Sequence, residues 1–214
     1  MTADRGARGE PYSIGERAMI ERPSIVVLAG PNGAGKSTVA PVLLAQTLGI
    51  GEFVNADDIA RGLSAFQPQS VAIAAGRVML ARLDELARQG VSFAFETTLA
   101  SRSFRPWLEA RIMAGYRVHL LFLWLPSPEM AAARVAYRVA RGGHGVADEV
   151  IRRRYAAGLH NFFALYRSIA EEWRFYDSHS VVGPRLLAQG NGSGGIHVLD
   201  SPLWADIVRQ WGGS

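Results

Sequence analysis

The 214-residue chain contains no cysteine, a single lysine and no long apolar run. The absence of cysteine excludes disulfide bonds, thiolate catalysis and cysteine-ligated zinc, and it agrees with a reducing compartment. No apolar stretch approaches the roughly 20 residues that a transmembrane helix needs, and residues 1–21 lack the continuous apolar segment of a secretion signal. We therefore expect a cytoplasmic protein that has no membrane partner.

The composition predicts one globular domain. Hydrophobic residues make up 49% of the chain, which is long enough for one sizeable core and short for two. The formal net charge is only +4, so binding of nucleic acid is not implied. Residues 1–22 show no hydrophobic periodicity, and they are predicted to form a flexible tail or a short leading helix before a single domain at residues 23–214.

The single lysine, Lys36, lies in a complete phosphate-binding motif. Residues 30–37, GPNGAGKS, match the pattern G-x-x-x-x-G-K-S between a β-branched run and a helical pattern. Glycines in such a loop let backbone N–H groups point at a polyphosphate, and the lysine reaches the β- and γ-phosphates. The Ser37 hydroxyl is the predicted magnesium ligand. ATP or GTP with Mg²⁺ is therefore expected at Gly30, Pro31, Asn32, Gly33, Ala34, Gly35, Lys36, Ser37 and Thr38.

Apolar runs that alternate with helical patterns predict an α/β fold, with a doubly wound and mostly parallel sheet. The predicted strands of this sheet lie at residues 24–29, 52–56, 91–95, 118–125 and 173–176. The predicted helices lie at residues 38–48, 70–89, 104–114, 129–140, 148–172 and 201–210. The helices on either side of residues 141–145 are predicted to form a helical lid, and residues 185–190 and 196–199 a C-terminal β-hairpin.

Polar residues follow the predicted strands at the edge where an α/β sheet binds its ligand. Asp57 is placed to accept the proton of an attacking hydroxyl, and Asp58 then caps the following helix. Glu96 contacts either the second substrate or the magnesium ion, or it forms a salt bridge with an arginine. Thr98 projects on the same side as Glu96 if the chain stays extended, and this pair suits a polyol or a sugar.

Arginines in the predicted lid are candidates for the neutralisation of phosphate charge. Arg134, Arg138 and Arg141 are spaced to share one helix face, and residues 152–154 begin the next helix beyond the glycine-rich hinge around His144. A solvated arginine face is the alternative. Tyr155, Phe162, Phe163 and Tyr166 recur at helical spacing and are predicted to pack in the core.

Together these motifs resemble the zeta-toxin family of P-loop kinases, in its short stand-alone branch. The resemblance covers residues 24–178 and depends on the NADDIA stretch at 55–60, the ETTL stretch at 96–99 and the arginine-rich segment ending at Tyr155. It implies a toxin–antitoxin phosphotransferase that acts on a nucleotide sugar such as UDP-N-acetylglucosamine, with a possible antitoxin partner. The residues to which it assigns catalysis are Lys36, Asp57, Arg138 and Arg154, those for the nucleotide include Arg134 and Arg141, and those for the substrate are Asp57, Glu96 and Thr98.

Three other readings of the loop stay open. A housekeeping kinase of small molecules or nucleic acid would share nearly all of these features. An ABC-type or motor-like NTPase would be expected to have a strand that ends in Asp-Glu and a Leu-Ser-Gly-Gly-Gln signature, and the chain has neither. A non-catalytic nucleotide-binding module would not need a base and lid arginines.

Overall fold

The computed structural model describes residues 22–213 except Leu48, His144 and Val181. The predicted tail, apart from its last residue, and the predicted hinge residue His144 lie outside this part of the chain. The described residues form one seven-stranded sheet in the order β2-β3-β1-β4-β5-β6-β7. Its strands are β1 Ser24–Ala29, β2 Glu52–Val54, β3 Phe93–Thr97, β4 Arg117–Trp124, β5 Glu172–Asp177, β6 Arg185–Gly190 and β7 Ile196–Val198.

The first five strands are parallel, and the last two add an antiparallel hairpin at the sheet's edge. The predicted α/β fold with a mostly parallel sheet and a C-terminal β-hairpin is therefore confirmed. β1 lies between β3 and β4, so the direction of winding reverses at β1. In such sheets the crevice outside the carboxyl ends of the strands at this point is the usual ligand site.

Seven α-helices occur in the described part of the chain. They are α1 Lys36–Ala40, α2 Ala56–Leu63, α3 Ala72–Arg88, α4 Phe104–Met113, α5 Pro128–Val139, α6 Asp148–Asn161 and α7 Ser201–Trp211. Wider π-helical turns extend α1 through Pro41–Thr47 and α6 through Phe162–Tyr166, and a 3₁₀ turn at Pro68–Val71 precedes α3. None of these helices is both long and apolar enough to cross a membrane.

Local signals explain where the lid helix α5 begins. The Ser127 hydroxyl accepts a hydrogen bond from the backbone N–H of Met130, and Pro128 occupies the first turn, where its missing N–H costs nothing. α6 is shorter than predicted. Its helical turns end at Tyr166, and Glu172 already belongs to β5, where it pairs with His119 of β4.

Two strand boundaries near the expected site also differ from the prediction. β2 stops at Val54 because Asn55 caps α2, with its side-chain oxygen accepting from the N–H of Asp57 at 2.8 Å. β3 extends past the predicted residue 95 through Thr97, because its pairing with β1 continues to the pair Ala29 and Thr97. Glu96 is thus a strand residue whose position the sheet fixes.

An aromatic cluster joins the lid helices to the sheet. Phe162 is fully buried, and its ring lies 5.0 Å from that of Phe122 on β4 and 5.1 Å from that of Phe175 on β5. Such aromatic contacts stabilise the core beyond the burial of apolar area. The predicted core residues Tyr155, Phe162, Phe163 and Tyr166 are all buried, so that prediction is confirmed.

Candidate active site

The phosphate-binding loop joins β1 to α1 through strained turns that require glycine. Gly30, Gly33 and Gly35 have φ angles of 139°, 79° and 84°. A Cβ atom at Gly30 would lie 2.2 Å from the carbonyl oxygen of Leu123 on β4, so no side chain fits there. The other predicted loop residues lie between these glycines or at the start of α1: Pro31, Asn32, Ala34, Lys36, Ser37 and Thr38.

Lys36 is folded against its own loop. Its ammonium group donates hydrogen bonds to the carbonyl oxygens of Gly30 and Pro31 at 2.8 and 2.9 Å, and its side chain is only 5% exposed. Burial lowers the pKa of Lys36, while the negative charges of Glu96 and Asp57 oppose that shift. The lysine charge therefore lies where carboxylates and loop carbonyls can stabilise it.

Glu96 connects three strand ends. One carboxylate oxygen lies 3.6 Å from the Lys36 ammonium, and the other accepts hydrogen bonds from the Ser37 hydroxyl at 2.8 Å and the Asn55 amide at 3.0 Å. The structure thus places Glu96 beside the predicted magnesium ligand Ser37. Both offer oxygen atoms, the ligand type that Mg²⁺ prefers. No cluster of three or more acidic, histidine or cysteine side chains suited to a metal occurs among the described residues.

Asn55 belongs to this network, although no sequence motif predicted it as a functional residue. It is 6% exposed, it caps α2 through its side-chain oxygen, and its amide nitrogen donates to Glu96. A signal was available, because Asn55 follows β2 at the same edge of the sheet as the other polar residues. It also overturns the predicted capping role of Asp58, which lies within the first turn of α2 and pairs on the exposed surface with Arg61.

Asp57 and Thr98 line one cleft together with Lys36 and Glu96. The segment after Thr98 is braced by α6. A Cβ atom at Gly158 would lie 2.4 Å from the Thr98 carbonyl oxygen, so the two backbones touch. The next residue, Leu99, has a positive φ of 60°, which is uncommon for a side chain of this kind.

The lid arginines separate into different environments. Arg138 and Arg154 line the cleft, and Arg138 contributes to the lowered pKa of Lys36. Arg134 lies against the loop, with its Cβ 3.1 Å from the position of a Cβ atom at Gly33, and its guanidinium donates to the carbonyl oxygens after β5. Arg152 joins the two lid helices through ion pairs to carboxylates of α5 and α6.

Arg141 departs from the predicted arrangement. α5 ends at Val139, so the helical spacing that would place Arg141 on the face of Arg138 no longer applies, and the prediction of one shared face is wrong there. The Arg141 guanidinium lies 5.0 Å from the centre of the Tyr137 ring and donates to its hydroxyl. Arg141 does not line the cleft.

The cleft has a volume of about 500 Å³, and its lining combines polar and apolar side chains. The polar ones carry both signs of charge and are Asn32, Lys36, Asn55, Asp57, Glu96, Thr98, Arg138 and Arg154. The apolar ones include Ala60, Met79, Phe104, Val146 and Val150. A ligand in this cleft would meet phosphate-binding groups and an apolar surface together.

Comparison with known families and sequences places the chain in a family. It belongs to the AAA_33 family, described as an AAA domain, whose family model matches residues 25–165. An uncharacterized protein of Haemophilus influenzae is 28% identical over 130 residues, which cover 61% of this chain and 91% of that protein.

Solved structures share the fold at low sequence identity. The complex AvrRxo1-ORF1:AvrRxo1-ORF2 with sulphate ions matches with a TM-score of 0.65 and 18% identity, over 87% of this chain and 63% of that chain. This chain therefore spans less than two thirds of that protein's length. A structure from the PezAT chromosomal toxin–antitoxin system of Streptococcus pneumoniae matches with a TM-score of 0.61 and 14% identity, over 93% of this chain and 81% of that chain. The α/β fold, with its mostly parallel seven-stranded sheet, is similar to that of P-loop kinases.

Proposed function

We propose that this AAA_33-family protein transfers the γ-phosphoryl group of ATP or GTP to a hydroxyl of a small acceptor. The observation that carries the proposal is the meeting of Lys36, Asp57, Glu96 and two lid arginines around one cleft. A phosphotransferase needs a cation at the phosphates, a base for the acceptor hydroxyl and positive charge on the opposite side. A module that only binds nucleotide needs neither the base nor the positive charge on the opposite side.

Each side chain has a role that its position supports. Lys36 exchanges its loop carbonyls for the phosphate oxygens of the nucleotide. Asp57 is exposed to the cleft, within electrostatic range of Lys36, and accepts the proton of the attacking hydroxyl. Arg138 and Arg154 approach from the lid and neutralise the charge of the transferring group.

Magnesium fits the residues present. The Ser37 hydroxyl would hold the ion directly, and Glu96, which is hydrogen-bonded to that hydroxyl, would hold it through water. When bound, the ion neutralises phosphate charge. The predicted nucleotide-binding role of Arg134 belongs to the same proposal and is supported by its position against the loop, whereas Arg141, which does not line the cleft, is not part of it.

We further propose a nucleotide sugar such as UDP-N-acetylglucosamine as the acceptor. The cleft supports this by its volume and by a lining that combines apolar side chains with Asp57 and Thr98. A cytoplasmic location and an antitoxin partner belong to the same proposal, which the structural likeness to a toxin–antitoxin protein supports. A housekeeping kinase would use the same chemistry on another acceptor.

The test is to incubate the protein with ATP, Mg²⁺ and a small-molecule extract of bacterial cells, and in parallel with UDP-N-acetylglucosamine alone. We expect one species to gain the mass of a phosphoryl group, and ADP release to rise when that species is added. A matched reaction without added acceptor measures hydrolysis by water. ADP release that no acceptor stimulates, with no phosphorylated product, would favour an NTPase and contradict the proposal.

A further inference from the structure

The chain turns after β3 at a residue in an unusual backbone conformation. Leu99 has a φ of 60°, and it is the one non-glycine residue with a positive φ in the described part of the chain. Leucine has no preference for this left-handed region, and residues held there cluster at functional sites. The Leu99 side chain is fully buried, so the turn belongs to the packed structure. Neighbouring groups must therefore hold the turn in place.

Asn161 of α6 holds this turn through its side chain. The Asn161 amide nitrogen donates hydrogen bonds to the carbonyl oxygens of Leu99 and Ala100 at 2.9 and 3.1 Å. Asn161 is only 3% exposed, so water competes little for these bonds. About one turn earlier on the same helix, the backbone of Gly158 touches the carbonyl oxygen of Thr98. α6 therefore contacts three successive residues after β3.

The turn begins where the sheet stops supporting the chain. Thr97 is the last residue of β3 that pairs with β1, and Thr98 is the first beyond the pairing. Thr98 lines the cleft, where it belongs to the proposed acceptor site. Glu96, in contrast, lies within the paired strand and is hydrogen-bonded to Ser37. Loss of the turn would therefore displace Thr98 and leave the phosphate and magnesium side of the site in place.

We propose that Asn161 is a positioning residue for the phosphate acceptor. By holding Leu99 in its left-handed conformation, Asn161 fixes the position of Thr98 in the cleft, although Asn161 does not line the cleft itself. A misplacement of about 1 Å in a group that positions a substrate can lower the rate by about 10²-fold. This inference rests on the proposed phosphotransferase function and adds to it a residue outside the cleft.

The experiment compares Asn161→Leu with the wild-type protein. Leucine is similar in shape to asparagine but donates no hydrogen bond, and Asn161→Ala replaces this variant if Asn161→Leu does not fold. The acceptor is the species phosphorylated in the cell extract, or UDP-N-acetylglucosamine. We expect kcat/KM for the acceptor to fall by about 10- to 100-fold because Thr98 is displaced, with ATP affinity within about twofold of wild type.

Two further variants separate positioning from stability. Gly158→Ala keeps the Asn161 amide, but its Cβ atom would lie 2.4 Å from the Thr98 carbonyl oxygen and push the two backbones apart. It should therefore also lower acceptor kcat/KM and keep ATP affinity. Phe163→Leu is the control, because it removes a ring contact with Trp204 of α7. We expect it to lower the melting temperature and to leave the kinetics of both substrates unaffected.

Each outcome decides the inference. Unchanged acceptor kcat/KM in the Asn161 variant, or an equal fall in Phe163→Leu, would overturn the positioning role while the phosphotransferase function stands. A loss of ATP affinity in the Asn161 variant would also overturn it, since the change would then have reached the phosphate-binding loop. If the wild-type protein phosphorylates neither the extract nor UDP-N-acetylglucosamine, the proposed function fails and this inference fails with it.

Discussion

The phosphate-binding edge of the sheet and the helical lid hold their charges in different ways. At the sheet edge, Lys36 and Glu96 are almost completely buried, at 5% and 11% exposure, and their contacts join residues from three strand ends. In the lid, Arg141 and Arg152 are exposed, and their partners lie on the same two helices. The sheet therefore fixes one set of charges, whereas local contacts hold the other.

This difference has an energetic consequence. Exposed ion pairs such as that of Arg152 with Asp148 contribute little net stability, because water and salt screen them. A rearrangement of these arginine side chains that breaks them therefore costs little. At the sheet edge, movement of Lys36 would leave a buried carboxylate without its cation, which is far more costly. We expect a fixed phosphate site facing lid arginines whose exposed side chains can rearrange.

The largest effect should come from a change at the phosphate-binding edge of the sheet. Lys36→Ala removes the lysine cation from the loop, and we expect phosphoryl transfer to fall by about 10³-fold or more, because the transferring group loses a preorganised charge. Single-turnover transfer with saturating ATP measures this. If expression of the wild-type protein inhibits bacterial growth, the variant should relieve the inhibition. Turnover close to wild type in Lys36→Ala would contradict the mechanism.

The next prediction separates two adjacent carboxylates by the environment that the structure gives them. Asp57 lines the cleft, whereas Asp58 pairs with Arg61 on the exposed surface of α2. Asp57→Asn should lower the rate of transfer by about 10²–10⁴-fold with nucleotide affinity nearly intact, because the loop and Lys36 still hold the phosphates. The matched control Asp58→Asn should change the rate by less than about twofold.

Nucleotide affinity, melting temperature and single-turnover transfer, measured for both variants, decide between the two positions. A larger loss in Asp58→Asn would reverse the assignment of the base. Little loss in either variant would remove both carboxylates from the mechanism and leave only the loop as the source of catalysis.

The same comparison explains which parts of the molecule the sequence could predict. β1 and its loop were predicted residue for residue, because a β-branched run followed by G-x-x-x-x-G-K-S requires one local geometry. The position of Glu96 near Ser37 follows from the parallel pairing of β3 with β1, which places their carboxyl ends at one edge. The positions of the loop and of Glu96 thus depend on local backbone geometry and on the order of the strands in the sheet.

The parts that could not be predicted depend on tertiary contacts or on small competing local preferences. Asn55, and not Asp58, caps α2. Both residue types cap helices, so the sequence alone does not choose between them, and the choice depends on where β2 ends. The environment of Arg141 depends on where α5 ends, and helix ends are the least predictable feature of a periodic pattern. The contact of Asn161 with the turn after β3 has no sequence signal at all.

The smallest effect should come from the lid, where two arginines three residues apart form a matched pair. Arg138 lines the cleft and acts electrostatically on Lys36, so it lies within range of phosphate charge, whereas Arg141 stacks on Tyr137 outside the cleft. We expect Arg138→Ala to lower kcat by about 10- to 100-fold and Arg141→Ala to change it by less than about twofold. Steady-state kinetics at saturating ATP, with melting temperatures to confirm that both variants fold, measure the difference. Equal losses in the two variants would mean that the Arg141 side chain also reaches the phosphates when nucleotide is bound. The difference between a fixed sheet edge and locally held lid charges would then apply only to the unliganded protein.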